Sequence, residues 1–381
     1  MIPFLDLQAA YREDAAAYDA AYHRVMDSGR WILGPECAAF EAEFAAHCGA
    51  AHAVGVGNGL DALRLALEVA GIGPGDEVIV PAHTFIATWL AVQQCGATPV
   101  PVEPAGATAG GYTVDAAGVA AAITPRTRAV MPVHLYGHGA DPDGLRALCA
   151  ERGLCLIEDA AQAQGARHGG LALGRFGAMG AFSFYPGKNL GAFGDAGAVI
   201  TDDPALAQAL RERRNYGSRE RYAHDSLGTN SRLDELQAAF LRVRLARLTA
   251  HNRRRAEVAA RYSAQLADLT SCAEPADPAA PARLVLPATR PGDAPAWHLY
   301  VVRTPERDAL QASLARQGID TLVHYPRPVY RFAPFAHLGP AHRTASDALC
   351  DQILSLPLGP HLSDAQVDEV CAAIHRHFRT A

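Results

Sequence analysis

The chain has 381 residues, 49% hydrophobic and 19% charged, enough for a large buried core and too apolar for long disorder. Its formal net charge is -6 and its 16 histidines are scattered, so no nucleic-acid footprint is expected; the densest basic run, Arg253 to Arg255, reads as a solvated helix face. No apolar run approaches the roughly 18 residues of a membrane span, and the eight cysteines are widely spaced with no C-x-x-C pair. The opening MIPFLDLQAAYRED lacks a basic start followed by an apolar stretch, and the expectation is a cytoplasmic protein with reduced thiols.

In chain order, residues 1–14 read as a short extended arm, followed by helices over 15–27 and 35–48, the latter with Phe40, Phe44 and Cys48 on one face. A strand at 53–56 passes through Gly57-Asn58-Gly59 into a helix over 60–69. A strand entering a helix through small residues is an anion cradle, because free backbone N–H groups and the helix dipole point outward. Gly55-x-Gly57 is not a dinucleotide fingerprint: the third glycine is missing, and no acidic residue ends the next strand. A single phosphate is the better match.

Strands and helices then alternate: strands at 78–80, 98–102, 128–133 and 155–157, with helices after Thr84 and over 141–152. This pattern predicts an α/β fold with a large, mostly parallel central sheet flanked by helices. Residues 181–185 form a strand, 186–196 a glycine-rich loop with one lysine, and a second strand ends at Thr201. A helix begins after Asp202-Asp203, a polar loop spans 218–230, and Ser231-x-x-Asp234 has the form of a capping box opening a long helix. Beyond a Pro-, Ala- and Asp-rich stretch at 272–296 come strands at 298–302 and 320–325 and helices over 308–317, 341–354 and 363–378. The division expected is an arm (1–14), a large α/β domain (15–250) and a smaller C-terminal α+β domain (251–381).

Two charged residues stand out. Lys188 lies in a segment otherwise built from small and aromatic residues, and an enclosed ammonium shifts its pKa or finds a partner. Asp159 ends a buried strand and needs a cation. That cation is either an arginine elsewhere in the fold or a protonated pyridine nitrogen. A lysine for an aldehyde carbon and an aspartate for a pyridinium are the minimal pyridoxal phosphate site. Its phosphate would sit on the cradle at Gly57 to Leu60 with a hydroxyl such as Ser183, and Trp89 is available to cover the ring.

EDAAQAQG at 158–165, FYPGKNLGAFGDAGA at 184–198, RNYGS at 214–218 and TNSRLDELQAA at 229–239 closely resemble the sugar-nucleotide aminotransferases of the DegT/StrS group, over nearly the whole chain. The resemblance implies a fold-type-I transferase that uses pyridoxal 5'-phosphate and is a homodimer with shared active sites. It implies that Lys188 carries the cofactor and later moves a proton, Asp159 partners the pyridinium and Gln162 bonds the ring hydroxyl. Ser183 with the backbone of Gly59 and Leu60 would form the phosphate cup, and Trp89 would stack on the ring. Asn230 would reach the phosphate from the other subunit, with Tyr185, His324 and Tyr325 on the substrate side. Many members carry a hydroxyl residue where this chain has Leu60, so that contact would be backbone only. Glutamate is the implied amino donor and a nucleotide-linked keto sugar the acceptor. HTFIATWLAV (83–92), PVHLYGH (132–138) and GTNSRLDELQAAF (228–240) most resemble members acting at carbon 3, implying a dTDP-3-keto-6-deoxyhexose. Carbon-4 members tend to carry tyrosine where this chain has Ser231, and a smaller residue at the mouth would let the hexose sit rotated. The alternatives are a 4-keto sugar or cyclitol aminotransferase and, in another class, a non-catalytic regulatory protein of the same fold. Members that dehydrate sugars replace the lysine with histidine, and Lys188 stands against that reading.

Overall fold

Val78, Ile79 and Val80 are buried on both faces of the sheet, the usual place for a run of β-branched residues in parallel strands. The computed structural model describes residues 1–105, 112–220, 222–270, 284–342 and 344–380. The expected Pro-, Ala- and Asp-rich stretch therefore lies, up to residue 283, outside the described residues.

The main sheet collects β1 (His52–Val56), β2 (Glu77–Pro81), β3 (Thr98–Val102), β4 (Thr127–Val130) and β5 (Cys155–Asp159). A small ribbon, β6 (Arg167–His168) and β7 (Leu171–Ala172), precedes its last two strands, β8 (Met179–Ser183) and β9 (Gly197–Thr201). The order is β1-β9-β8-β5-β4-β2-β3, with β9 antiparallel to both neighbours and the rest running in one direction. β1, β5 and β8 therefore end at one edge. Reversal at β9 means that the loop from 184 to 196 turns back over that same edge.

Helices cover both faces. On one, α3 (Pro35–Cys48) brings Phe40 and Phe44 against Phe182 and Phe184. On the other, α4 (Gly59–Val69) sets Leu63, Leu65 and Leu67 in a cluster with Val80, Ala181 and Val199. Period-two alternation along β8 sends Phe182 to the first face and Ala181 to the second. The long helix Glu235–Gln265 joins the first cluster through Leu241 and Leu248. Its Val258 and Tyr262 enter a separate cluster with Tyr300, Val302, Leu354 and Leu356. Those last four lie on a two-stranded sheet, Tyr300–Arg303 against Ile353–Leu356.

Four sequence expectations need correction. The first 14 residues are not an extended arm throughout: Asp6 accepts from the Ala9 N–H and caps a helix over Leu7–Glu13. The capping box at Ser231 does not form, because its hydroxyl donates to Asp61 at 2.7 Å and accepts from the Gly57 N–H at 3.0 Å. Residues 320–325 are no strand: their one β-bridge to a neighbouring strand is Leu322–Ser355, and the groups of His324 and Tyr325 bond instead to Tyr136, Ser355 and Gln162. The helix expected over 341–354 spans Ala345–Gln352, and its last residues open the strand Ile353–Leu356.

Candidate active site

Register brings the site together. Ser183 pairs with Gly197, and Gly197 pairs with Val56, so the ends of β8 and β1 lie in one row. The chain leaving β1 becomes α4, whose cap Asn58 accepts from the Asp61 N–H at 2.8 Å. Gly59 is required here: a Cβ on it would sit 2.5 Å from Ser183 Cβ and 3.0 Å from its hydroxyl oxygen. With no side chain at 59, the first turn of α4 packs directly against Ser183, so its free N–H groups and the Ser183 hydroxyl lie side by side as an anion cradle. The Leu60 side chain, half-buried, packs against the α4-face cluster and leaves its backbone for that cradle.

Asp159 ends β5 one strand away, where it is buried. Its Oδ2 accepts from Thr88 Oγ1 at 2.8 Å and its Oδ1 from the Ala161 N–H at 3.1 Å. Burial raises its pKa; the Ala161 N–H, the Thr88 hydroxyl and the positive charge of Lys188 pull the other way. Lys188 lies on the turn after β8, its N–H donating to the Tyr185 carbonyl at 2.8 Å. Burial pushes its amine down to about 8, against the upward pull of Asp159. A carboxylate with two donors and a lysine of lowered pKa thus share one strand edge with an anion cradle. Nothing in this donor set supplies a full positive charge in contact with Asp159, and a protonated ring nitrogen fits that need. The residues present fit pyridoxal phosphate.

Gln162 is held at both ends, its Oε1 accepting from the Tyr136 N–H at 2.6 Å and its Nε2 donating to the Tyr325 hydroxyl at 3.0 Å. His324 Nδ1 lies 2.9 Å from Ser355 Oγ, and burial together with the charge of Lys188 holds this imidazole down to about 4. Burial raises the Tyr325 phenol. Tyr185 is 60% exposed beside the Lys188 turn, and Asn230 is exposed, its backbone bridged to Asn215.

Trp89 is a correction. Its ring is 0% exposed, its indole N–H donates to the Pro81 carbonyl at 2.8 Å, and it packs edge-on against Phe335. A ring enclosed in the core has no face left for a cofactor. From the same segment it is Thr88 that reaches Asp159, and Phe85, 53% exposed, lies 5.5 Å from the Tyr325 ring. Ser231 is also not a residue at the mouth: it is 2% exposed and tied to the first turn of α4.

Three site residues escaped the sequence reading. Thr88 carried a faint signal, since it follows Thr84 by one helical turn in an otherwise apolar stretch, and the two hydroxyls lie 3.1 Å apart. Tyr136 and His298 carried none. His298 is half-buried, with Nδ1 3.1 Å from Asn189 Oδ1, and its desolvation followed by the charges of Lys188 and Arg255 holds its pKa well down.

Comparison with known proteins fits this geometry. The chain is 55% identical, over 98% of its length and 95% of the relative's, to dTDP-3-amino-3,4,6-trideoxy-alpha-D-glucose transaminase of Streptomyces venezuelae. It is 53% identical, over 98% of each chain, to a Saccharopolyspora erythraea protein named erythromycin biosynthesis sensory transduction protein EryC1. The crystal structure of S. venezuelae DesV in complex with a ketimine intermediate superposes with a TM-score of 0.93 at 54% identity, covering 98% of both chains. The model of the DegT/DnrJ/EryC1/StrS aminotransferase family matches residues 13–375. With a Lys188–Asp159 pair at the edge of the sheet and a family match across nearly its full length, the chain belongs to the DegT/DnrJ/EryC1/StrS aminotransferases.

Proposed function

We propose that the protein is a pyridoxal 5'-phosphate-dependent aminotransferase that moves an amino group from L-glutamate to carbon 3 of a dTDP-linked 3-keto-6-deoxyhexose. The observation that carries the cofactor reading is the edge shared by Lys188, Asp159 and the Gly59–Ser183 cradle. In this reading the α4 N-terminus and Ser183 hold the phosphate, Lys188 bonds the aldehyde carbon, and Asp159 keeps the ring nitrogen protonated. Gln162 lies on the side of the ring hydroxyl. The bound cofactor supplies an electron sink for the substrate α-carbon. Lys188 would hold the cofactor through its amine and would carry the proton exchanged at the substrate α-carbon. A lysine held near about 8 suits that exchange, because both of its protonation states are accessible near neutral pH.

Support for carbon 3 comes from the 55% identity to a dTDP-3-amino sugar transaminase rather than from Ser231, whose buried position removes the steric reason for it. The homodimer reading draws on an exposed apolar patch around Trp31 (58%) and Ile32 (50%), a surface rarely left open to water. Asn230, exposed on the polar loop, would then serve the partner's phosphate.

The test is a coupled assay across a panel of keto-sugar nucleotides with glutamate, with products identified by NMR. Efficient amination of the dTDP-3-keto-6-deoxyhexose is expected. Amination of the 4-keto isomer with the 3-keto sugar untouched would move the assignment to carbon 4, and amination of a keto-cyclitol alone would remove the nucleotide sugar from it.

A further inference from the structure

Tyr136 is fully buried, and its backbone holds φ at +60°, in the left-handed region. A bulky residue there costs on the order of 1 kcal/mol and persists only where its surroundings over-determine it. Those surroundings form a bracket. Its N–H donates to Gln162 Oε1 at 2.6 Å, and Gln162 in turn donates to the Tyr325 hydroxyl at 3.0 Å. Its own hydroxyl donates to the His324 carbonyl. A single residue thereby holds both members of the 324–325 segment, one directly and one through Gln162.

Two buried groups stand behind that hydroxyl. His83 Nε2 lies 2.8 Å from Tyr136 Oη, and Cys350 Sγ lies 3.4 Å from His83 Nδ1. The tyrosine has one proton and spends it on His324, so His83 must present N–H at Nε2 and accept the thiol proton at Nδ1. Each group then has one direction available to it. Burial holds His83 down to about 4, so the ring stays neutral at any working pH.

We infer that Tyr136 is a positioning residue for the sugar-side wall of the site, aiming His324 and Tyr325, with His83 and Cys350 fixing the direction of its hydroxyl. This rests on the reading that His324 and Tyr325 face the sugar. Tyr136→Phe removes only the hydroxyl and keeps the packing. His83→Leu removes the donor behind it, and His83→Gln puts a side-chain N–H back. The two half-reactions are followed separately, and the affinity of cofactor-free protein for the sugar nucleotide is measured by calorimetry.

Tyr136→Phe and His83→Leu should raise KM for the keto sugar, and weaken the calorimetric affinity, by about tenfold, the scale of one lost orienting hydrogen bond. The glutamate half-reaction should stay within about twofold, and His83→Gln should recover most of the loss. The double variant Tyr136→Phe/His83→Leu should be no worse than Tyr136→Phe, because links in series are not additive. Unchanged sugar kinetics and affinity in Tyr136→Phe overturn the inference. So do equal losses in both half-reactions with a lowered Tm, the mark of plain packing. Failure of the functional reading would look different: the wild type would aminate nothing in the panel, and the inference would fall with it.

Discussion

Lys188 sits on the turn after β8 with its amine pushed down to about 8 by burial, against the pull of Asp159. The sign of that shift sets a testable profile. A lowered lysine pKa means a neutral amine above it and an ammonium below it, and bonding to an aldehyde needs the neutral form. Uptake of pyridoxal phosphate by the cofactor-free protein should therefore quicken as pH rises and level off near about 8, well below the ordinary lysine value of about 10.4. Asp159→Asn removes the charge that raises this pKa and should move the break lower. Uptake that keeps climbing to about pH 10 would show an ordinary surface lysine. Lys188 was legible in the sequence as the one lysine in a run of small and aromatic residues, and Asp159 as the carboxylate that closes an apolar strand just before Ala160-Ala161. Trp89 was misread for the opposite reason. The segment Ala87–Gln94 is apolar around much of its circumference, so nothing in it says which side faces the sheet edge, and Thr88 rather than Trp89 turned out to face Asp159. Tyr136 was invisible because its role depends on partners at 83, 162 and 324, which only the fold brings near.

At the scale of elements, Thr98–Val102 falls where it was expected and Val78 to Val80 lie within β2, both short β-branched runs, whereas β8, with no β-branched residue, starts and ends two residues before the strand expected over 181–185. Helix starts were less readable, because capping residues have other suitors. Ser231 has the form of a cap, yet its hydroxyl joins α4 while Glu235 turns to α3. The Glu235 carboxylate accepts from the N–H groups of Gly34 at 2.9 Å, Glu36 at 2.5 Å and Cys37 at 3.1 Å. It thereby satisfies donors that the first turn of α3 leaves free and complements the positive end of that helix. Gly34 allows this approach, since a Cβ there would stand 2.6 Å from Glu235 Oε1. Glu235→Ala strands three N–H groups, of which at least two are buried, and should cost about 3 kcal/mol at the denaturant midpoint. A loss below about 1 kcal/mol would mean that water replaces the carboxylate without penalty.

For the whole molecule, the helix Glu235–Gln265 is the continuous piece, with Leu241 and Leu248 in the core of the main sheet and Val258 and Tyr262 in the cluster of the C-terminal sheet. We place the division between a large domain of residues 15–250 and a small one of 251–381 within this helix, so the two would be coupled through its length. Among the described residues no helix is long and apolar enough to cross a membrane. The proposed sharing of sites through Asn230 is tested by mixing Lys188→Ala chains with Asn230→Asp chains. Hybrid dimers then hold one doubly damaged site and one intact site, and part of the activity should return. If hybrids form and nothing returns, Asn230 acts within its own chain. The most direct measurement for the whole assignment is absorbance of the purified protein loaded with pyridoxal phosphate. Glutamate should bleach the yellow colour, and dTDP-3-keto-6-deoxyhexose added afterwards should restore it with one equivalent of amino sugar formed per site. The Lys188→Ala chain should do neither. Colour that glutamate leaves untouched, or a bleached protein that no keto-sugar nucleotide restores, would contradict the transfer of an amino group between these two substrates.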